Sequence, residues 1–306
     1  DSEQETDLED EEYDSDYSDA GLIDAVKKGI KRLVVRRAET EPPGNLVYEN
    51  TSTPRGLAMI IENYEFDNLP RRDGSQADFD KMCQLLRGLG YRIGSRRNVT
   101  ARDMMQFMDE FAVRPEHEAA HSAMCVVMTH GEYDLLYGTD GRTVNLHKFV
   151  AKLNSRNCPN LKGKAKIFVI QACRGPNEDH GVPEHHTRDA RAGPSTRRDS
   201  SPRQRSRSRQ SGPMLREPIN KDYLIALSTA PNYVSLRDVN LGSRFIQSLA
   251  AVFADHAADD DILRLMIRVN AMVSRIGGET KTRQMQIPEF HCTMTKLFYF
   301  NPPGRH

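Results

Sequence analysis

The feature that most constrains this fold is a short apolar run that ends abruptly in a cysteine, at residues 166–175. Its first part, residues 166–170, has the length and the β-branched side chains of a buried strand. Cys173 follows just beyond the carboxyl end of that strand, followed by Arg-Gly. Because ligands bind at this edge of open α/β sheets, the run predicts a functional cysteine at the rim of a sheet.

A second apolar run, residues 123–129, delivers His130-Gly131 at its own end. Neighbouring strands lie about 4.8 Å apart, so pairing of the two runs would bring the thiol and the imidazole within reach. A cysteine attacks as the thiolate and needs an adjacent base. The protonated imidazole can then give its proton to a leaving amine.

The remaining patterns alternate between strands and helices, which predicts an α/β fold with a mostly parallel sheet of about six strands and helices on both faces. The predicted strands are residues 56–61, 91–93, 123–129, 166–170, 222–228 and 295–300. The predicted helices are residues 20–37, 75–89, a helix capped by Thr100 that includes Met104 to Phe111, 146–153, 242–254 and 261–274.

Composition predicts disorder in two charged stretches of the chain. The net charge of zero conceals an acidic stretch at residues 1–19 and an Arg-dense stretch at residues 188–216. Both are poor in apolar residues and self-repelling, so we expect both to be disordered. The chain begins with Asp, which leaves open that an upstream segment is missing.

The five cysteines are odd in number, scattered and free of any Cys-x-x-Cys pair. This spacing argues against a disulfide framework and a structural zinc site, and we expect no metal or organic cofactor. Free thiols indicate a reducing compartment, so we expect a cytoplasmic location, with nuclear access left open. The sequence shows no signal peptide and no run long enough to span a membrane.

Two segments leave alternatives open. The helix at residues 20–37 is amphipathic and basic, so it could bind a membrane surface or a partner, or pack on the domain. The Arg/Ser alternation at residues 200–209 resembles segments that contact nucleic acid or become phosphorylated, and a plain solvated linker is the competing interpretation. The stretch lacks interleaved aromatic residues, which makes nucleic acid an unlikely partner.

The residues Gln171-Ala172-Cys173-Arg174-Gly175, with a histidine some fifty positions upstream, match the signature of the caspases. Further matching motifs are Thr129 to Glu132, Ser228 to Arg237, Gly242 to Gln247 and Lys296 to Phe300. Over about residues 45–301 the chain therefore resembles a caspase, which implies a three-layer sandwich and an endopeptidase of the cysteine type that acts in apoptosis or related signalling.

The resemblance also implies roles for single residues. Cys173 would be the nucleophile and His130 the general acid and base. The backbone N–H groups of Gly131 and Cys173 would form the oxyanion hole. The main-chain carbonyl of Pro70 would orient the histidine.

Three polar residues from separate segments, Arg72, Gln171 and Arg237, would enclose the side chain of a substrate aspartate. Guanidinium groups suit a carboxylate because two parallel N–H bonds can form at once. The neighbouring substrate residues would meet four more positions, which are Val234, Ser235, Leu236 and Arg244. Leu236 stands where many caspases have an aromatic residue and Arg244 where many have Trp, so we expect a roomier second pocket and a polar fourth one.

The same resemblance divides the chain into five parts. They are an acidic tail (1–19), a basic helix with linker (20–44), a large-subunit part (45–179), an inter-subunit linker (180–217) and a small-subunit part (218–306). We expect cleavage after Asp19, Asp189 and Asp199, by the enzyme itself or by a relative. The last strand, with Phe298 and Phe300, would pair two processed copies into a homodimer. Protein substrates with aspartate at the cleavage site are the expected partners, along with adaptor or inhibitor proteins.

Three other functions stay open at this stage. A related protease could prefer basic residues, although Arg72 and Arg237 disfavour it. A catalytically weak homologue could regulate other caspases through dimerisation, which the intact Cys173 and His130 disfavour. The Arg/Ser stretch could tether RNA or a partner, in which case binding would be sensitive to salt.

Overall fold

The computed structural model describes residues 19–39, 44–182, 217–278 and 284–303. The predictions for the acidic tail and for most of the inter-subunit linker, with Asp189 and Asp199, therefore lie outside the described residues. The division of the chain into five parts stays a prediction.

The described elements follow the predicted alternation of strands and helices. The strands are β1 (Gly56–Glu62), β2 (Tyr91–Arg97), β3 (Ser122–Met128), β4 (Gly131–Glu132), β5 (Leu135–Tyr137), β6 (Thr143–Asn145), β7 (Ala165–Gln171), β8 (Tyr223–Leu227), β9 (Arg237–Asp238), β10 (Gly242–Ser243) and β11 (Glu289–Cys292). The α-helices are α1 (Asp19–Lys28), α2 (Ser75–Gly88), α3 (Ala101–Ala112), α4 (Leu146–Val150), α5 (Arg244–His256) and α6 (Ile262–Gly278). Short 3-10 turns lie at Pro115–His117, Ala151–Leu153 and Pro159–Leu161.

One six-stranded sheet, in the order β11-β8-β7-β3-β1-β2, forms the middle layer. Its first five strands in the chain run parallel, and β11 alone runs antiparallel, beside β8. The inner strands β1, β3 and β7 are buried along their whole length, which explains their continuous apolar sequences. The carboxyl ends of all parallel strands therefore meet at one rim.

Alternate residues of each inner strand face two separate hydrophobic cores. Ala58 and Ile60 of β1 pack into the core shared with α1, α2, α5 and α6. Leu57 and Met59 pack into the core shared with α3 and α4. The α/β class and the three-layer arrangement predicted from the sequence are confirmed. Thr100 caps α3 as expected, because its side chain accepts a hydrogen bond from the backbone N–H of Asp103.

The basic helix is shorter than predicted. Helix α1 ends at Lys28, because Gly29 takes a φ of +81°, a left-handed conformation that ends helices. Its apolar residues Leu22, Ile23 and Val26 are buried against the domain, as in the packing interpretation. No helix among the described residues is long and apolar enough to cross a membrane.

The prediction of a final strand at residues 295–300 is wrong. The last strand of the sheet is β11, and residues 295–300 follow it without strand structure. Phe298 and Phe300 are fully buried within this chain, where their rings contact each other. Phe300 also contacts Tyr91 and Phe253. Two alternating aromatic residues resemble a strand in sequence, but here they fill the core from an irregular segment.

Candidate active site

The register between β3 and β7 places His130 and Cys173 at the same level of the rim. Met128 is directly opposite Gln171 in this parallel pair. His130 and Cys173 each lie two residues beyond that matched pair, on neighbouring strands about 4.8 Å apart. The two side chains predicted to do the chemistry therefore leave the sheet side by side.

The His130 ring is held by two residues of the loop between β1 and α2. Its Nε2 lies 2.8 Å from the carbonyl oxygen of Pro70, and its ring contacts Phe66 with 4.7 Å between ring centroids. A carbonyl oxygen only accepts hydrogen bonds, so Nε2 holds the proton and Nδ1 is the basic atom. Burial lowers the pKa of His130, and the charges of Arg72 and Arg237 lower it further, against the effect of the Pro70 hydrogen bond.

Gly131 lies directly against the backbone of the cysteine. A Cβ at this position would come within 2.7 Å of the Cys173 carbonyl oxygen and 2.8 Å of the Ala172 Cβ. Only glycine fits such a close approach. The Cys173 thiol is half-buried, and the backbone N–H of Ser235 donates to its sulfur at 3.4 Å.

Arg72 reaches this rim from the loop that follows β1 and is almost entirely buried. Its Nη1 donates to the carbonyl oxygen of Asn63 at 2.9 Å and to the Ser75 hydroxyl at 3.3 Å. Its buried Nη2 has no hydrogen-bond partner among the described residues. Burial first, and then the like charge of Arg237, lower the pKa of Arg72 to about 10, so the group stays charged at neutral pH.

Gln171 and Arg237 approach the same space as Arg72. Gln171 is 1% exposed; its Nε2 donates to the Ser235 hydroxyl at 2.8 Å, while its buried Oε1 has no partner in the described part of the chain. The Nε of Arg237 donates to the Asp73 carbonyl oxygen at 2.7 Å. Burial lowers the pKa of Arg237, and the negative charge of Asp78 is the largest influence that raises it.

Asp78 is a part of this site that sequence reasoning missed. It is fully buried on α2, and its Oδ1 accepts from the Ser243 N–H at 2.8 Å and from the Gln247 side chain at 3.1 Å. Burial raises its pKa to about 6, against the effect of Arg72. The signal was available, since Asp78 lies one helical turn before Met82 on the apolar face of α2. An acid on that face serves as the counter-charge behind the two arginines.

The residues predicted to meet the substrate side chains before the cleaved aspartate belong to the segment that follows β8. Val234 donates its N–H to the Asn177 carbonyl oxygen at 2.9 Å, which joins this segment to the loop after Cys173. Leu236 donates its N–H to the Gln286 side chain at 2.8 Å. Arg244 donates to the Gln284 carbonyl oxygen at 2.5 Å. Gln286 is a second residue that sequence reasoning missed; it also donates to the Ser228 carbonyl oxygen at 2.6 Å.

The candidate cleavage residue Asp19 is the first residue of α1. Among the described residues no group of three or more His, Cys, Asp or Glu side chains is arranged to hold a metal ion. The described geometry therefore consists of one candidate nucleophile, one candidate base and a cluster of cations, with one buried donor (Arg72 Nη2) and one buried acceptor (Gln171 Oε1) left without partners among the described residues.

Comparisons with known proteins agree with this geometry. The family model described as "Caspase domain" matches residues 55–299. "Cell death protein 3" from Caenorhabditis remanei is 35% identical over 278 residues, covering 85% of this chain and 53% of that protein. "Caspase-2" from Gallus gallus is 27% identical over 271 residues (85% and 62%), and "Caspase-7" from the same species is 30% identical over 253 residues (80% and 77%). This chain thus spans only about half to three-quarters of these relatives.

Proposed function

Because this chain belongs to the caspase family, we propose that it is a cysteine endopeptidase that cuts peptide bonds after aspartate. One observation supports the aspartate preference above all others. Arg72 and Gln171 each leave a buried polar atom without a partner beside the candidate nucleophile, within the described chain. Unpaired buried polar groups cost free energy, so a carboxylate that accepts from the Arg72 Nη2 is favoured over a neutral side chain, whereas the Gln171 Oε1 is an acceptor and gains a partner only when its amide rotates.

The proposed chemistry uses residues of this chain alone. Cys173 passes its proton to Nδ1 of His130 and its sulfur attacks the substrate carbonyl carbon. The N–H groups of Gly131 and Cys173 would donate to the oxygen that becomes negative, each contributing about 3 kcal/mol to lowering the barrier. The imidazolium then gives its proton to the leaving amine, and water hydrolyses the thioester with His130 again as the base.

The size and charge of the pocket both contribute to the proposed selectivity. A carboxylate can accept two parallel N–H bonds from Arg72 and a further one from Arg237. Rotation of the Gln171 amide would let its Oε1 accept from the Ser235 hydroxyl and turn its Nε2 toward the substrate. Asparagine would leave two arginines facing a neutral group, while glutamate would be one methylene too long.

We also propose a role in regulated cell death, with activation by cleavage and by pairing of two copies. The named relative "Cell death protein 3" motivates the first part. Strand β11 supports the second, because it is an edge strand of the described sheet and an edge invites pairing. Glu289 on β11 forms an ion pair with Arg174, next to the nucleophile. Mass spectrometry of active protein should find cuts both after Asp19, at the start of α1, and between β7 and β8; chains that stay uncut there would contradict this.

The decisive experiment compares four fluorogenic peptides that differ only in the last residue, which is Asp, Asn, Glu or Arg. We expect kcat/KM for the Asp peptide to exceed that for the Asn peptide by about a thousandfold or more, because a buried charge site rejects the analogue. The Cys173→Ala variant should cleave none of them.

Each other outcome points to a different function. A preference for the Arg peptide would support a protease of basic specificity and contradict the proposal. Folded protein that cleaves no peptide, yet changes the activity of another caspase when mixed with it, would support a regulatory homologue.

A further inference from the structure

Glu62 is a buried carboxylate that the proposed chemistry does not use, although it lies one hydroxyl group away from Arg72. It is the last residue of β1, and its side chain is fully buried. A buried carboxylate costs free energy unless it is paired and hydrogen-bonded. Its Oε1 accepts from the Ser75 hydroxyl at 2.7 Å, and its Oε2 accepts from Nε of Arg97. Glu62 therefore connects the start of α2 to the edge strand β2.

The Ser75 hydroxyl links Glu62 to Arg72. A hydroxyl has one hydrogen, and because this one is donated to Glu62, the oxygen can only accept from a further partner. That partner is Nη1 of Arg72, at 3.3 Å. Nη1 also donates to the Asn63 carbonyl oxygen at 2.9 Å, so both of its hydrogens are used. These two bonds fix the guanidinium plane, and Nη2 is the nitrogen left without a partner in the described chain.

Arg97 holds the second oxygen of Glu62. The two residues are register partners in the parallel pair of β1 and β2, so their side chains leave the same face of the sheet. The Arg97 guanidinium lies over the rings of Tyr64 and Phe79, 4.7 and 5.0 Å from their centroids. Its Nη2 donates to the Gln76 side chain at 2.7 Å. Because Arg97 is held by all these contacts, the Glu62 carboxylate stays between its two donors.

The charge of Glu62 also acts on Arg72. Burial and then the like charge of Arg237 lower the pKa of Arg72, whereas the negative charges of Asp78 and Glu62 raise it. Glu62 thus stabilises the charged guanidinium in addition to fixing its orientation through the hydroxyl.

We propose that Glu62 is a positioning residue of the aspartate pocket: through the Ser75 hydroxyl it turns Nη2 of Arg72 toward the substrate carboxylate. This inference rests on the proposed function. An acid that was free to rotate beside such a pocket would repel the substrate or pair with the arginine directly. The ion pair with Arg97 prevents that rotation, so Glu62 acts on the substrate only through Arg72.

The test measures kcat and KM for two peptides that differ only in the last residue, which is Asp or Asn. For Glu62→Gln we expect KM for the Asp peptide to rise about tenfold with kcat changed less than about twofold, because a binding contact to the carboxylate is weakened. The Asp-to-Asn ratio of kcat/KM should fall about tenfold. A purely structural role would lower the amount of active enzyme, and hence kcat, but would leave KM and this ratio unchanged.

Further variants isolate the hydroxyl and supply a control. Ser75→Ala should lower the Asp-to-Asn ratio as much as Glu62→Gln does, whereas Ser75→Thr, which keeps the hydroxyl, should retain it. Arg97→Met should lower it about threefold, because the Ser75 hydroxyl still holds one oxygen of Glu62. Arg96→Met is the matched control: Arg96 precedes Arg97 on the same strand, both side chains are 36% exposed, and Arg96 pairs with Glu110 of α3 at 2.6 Å. That variant should change neither KM nor the ratio by more than about twofold.

The ratio between the two peptides within one variant cancels any loss of folded enzyme. An Asp-to-Asn ratio in Glu62→Gln equal to that in Arg96→Met would overturn the inference while the proposed function stands. A loss in Ser75→Thr as large as that in Ser75→Ala would do the same, because the hydroxyl would then not transmit the effect. Failure of the unmodified protein to cleave any peptide after Asp would instead overturn the proposed function, and the inference with it.

Discussion

Two buried clusters of charge occupy opposite ends of the central sheet and differ in how their charges are balanced. At the amino end, the Lys166 ammonium lies 4.0 Å from the Asp222 carboxylate, and both side chains are at most 1% exposed. At the carboxyl end, burial and then the charge of Arg237 lower the pKa of Arg72, while the Asp78 carboxylate raises the pKa of both arginines. The first cluster contains an opposite pair, whereas the second brings like charges together.

The hydrogen bonds of the two clusters also differ. Lys166 donates to the Leu161 carbonyl oxygen at 3.1 Å, and one oxygen of Asp222 accepts from the Tyr48 hydroxyl at 2.6 Å. The second oxygen of Asp222 accepts no hydrogen bond in the described chain but faces the Lys166 ammonium at 4.0 Å, whereas Arg72 Nη2 and Gln171 Oε1 have no hydrogen-bond partner among the described residues. Buried charges that partner one another contribute to the folded state alone, while those left without partners are suited to a ligand.

The largest effect is expected from Arg237→Leu. Loss of one guanidinium from the cluster should lower kcat/KM for Asp-ending peptides about a thousandfold, since a buried recognition group is worth that much in discrimination. The melting temperature should change by only a few degrees, because the Arg237 side chain is only partly buried. Steady-state kinetics and calorimetry on the same preparation measure both quantities. Retention of activity within tenfold would contradict the assignment of Arg237 to the aspartate pocket.

For the Lys166–Asp222 pair at the amino end of the sheet, we expect a loss of stability and not a loss of activity. Asp222→Ala leaves the Lys166 charge buried without its partner, which should lower the free energy of unfolding by about 3–5 kcal/mol. Replacement of both residues, as Lys166→Met with Asp222→Asn, should recover most of that loss, because Asn tolerates the positive φ of +69° at this position and keeps an acceptor for the Tyr48 hydroxyl. Activity per folded molecule should stay within twofold in each variant. Urea unfolding with active-site titration tests this, and a double variant as unstable as Asp222→Ala would show that the charges do not act as a pair.

The pH dependence of the same cluster follows from its pKa. Burial lowers the pKa of Lys166 to about 8, below its ordinary value of 10.5. Between these two values the unfolded chain binds more protons than the folded one, so this residue adds stability as the pH rises from about 8 toward 10.5. The difference between the stability curves of the unmodified protein and of Lys166→Met should show that rise.

The sequence could predict what local patterns and motifs determine. Continuous apolar runs predicted β3 and β7. The residues that follow these runs predicted a site with His130 and Cys173, because side chains after neighbouring parallel strands lie at one rim of the sheet. It failed where tertiary packing decides. Strand β11 (Glu289–Cys292) carries two polar or charged residues in four, so its sequence did not predict an edge strand. The alternating Phe298 and Phe300, by contrast, predicted a strand that is not there. Asp78 was missed although it lies on the apolar face of α2, since the partners that explain a buried acid there, Ser243 and Gln247, lie 165 or more positions away along the chain.

The smallest effect concerns the acid side of the pH profile. The Pro70 carbonyl oxygen holds a proton on Nε2 of His130, and burial with the charges of Arg72 and Arg237 lowers the pKa of the ring below 6.5. The neutral ring is the base, so activity is lost as the pH falls through this lowered pKa. We therefore expect the acid limb of kcat/KM, measured with an Asp-ending peptide, to have its midpoint below pH 6.5. A midpoint above pH 7 would mean that negative charge, and not the charge of the two arginines, dominates around the imidazole. The cation-rich rim described here would then not be the environment in which the enzyme works.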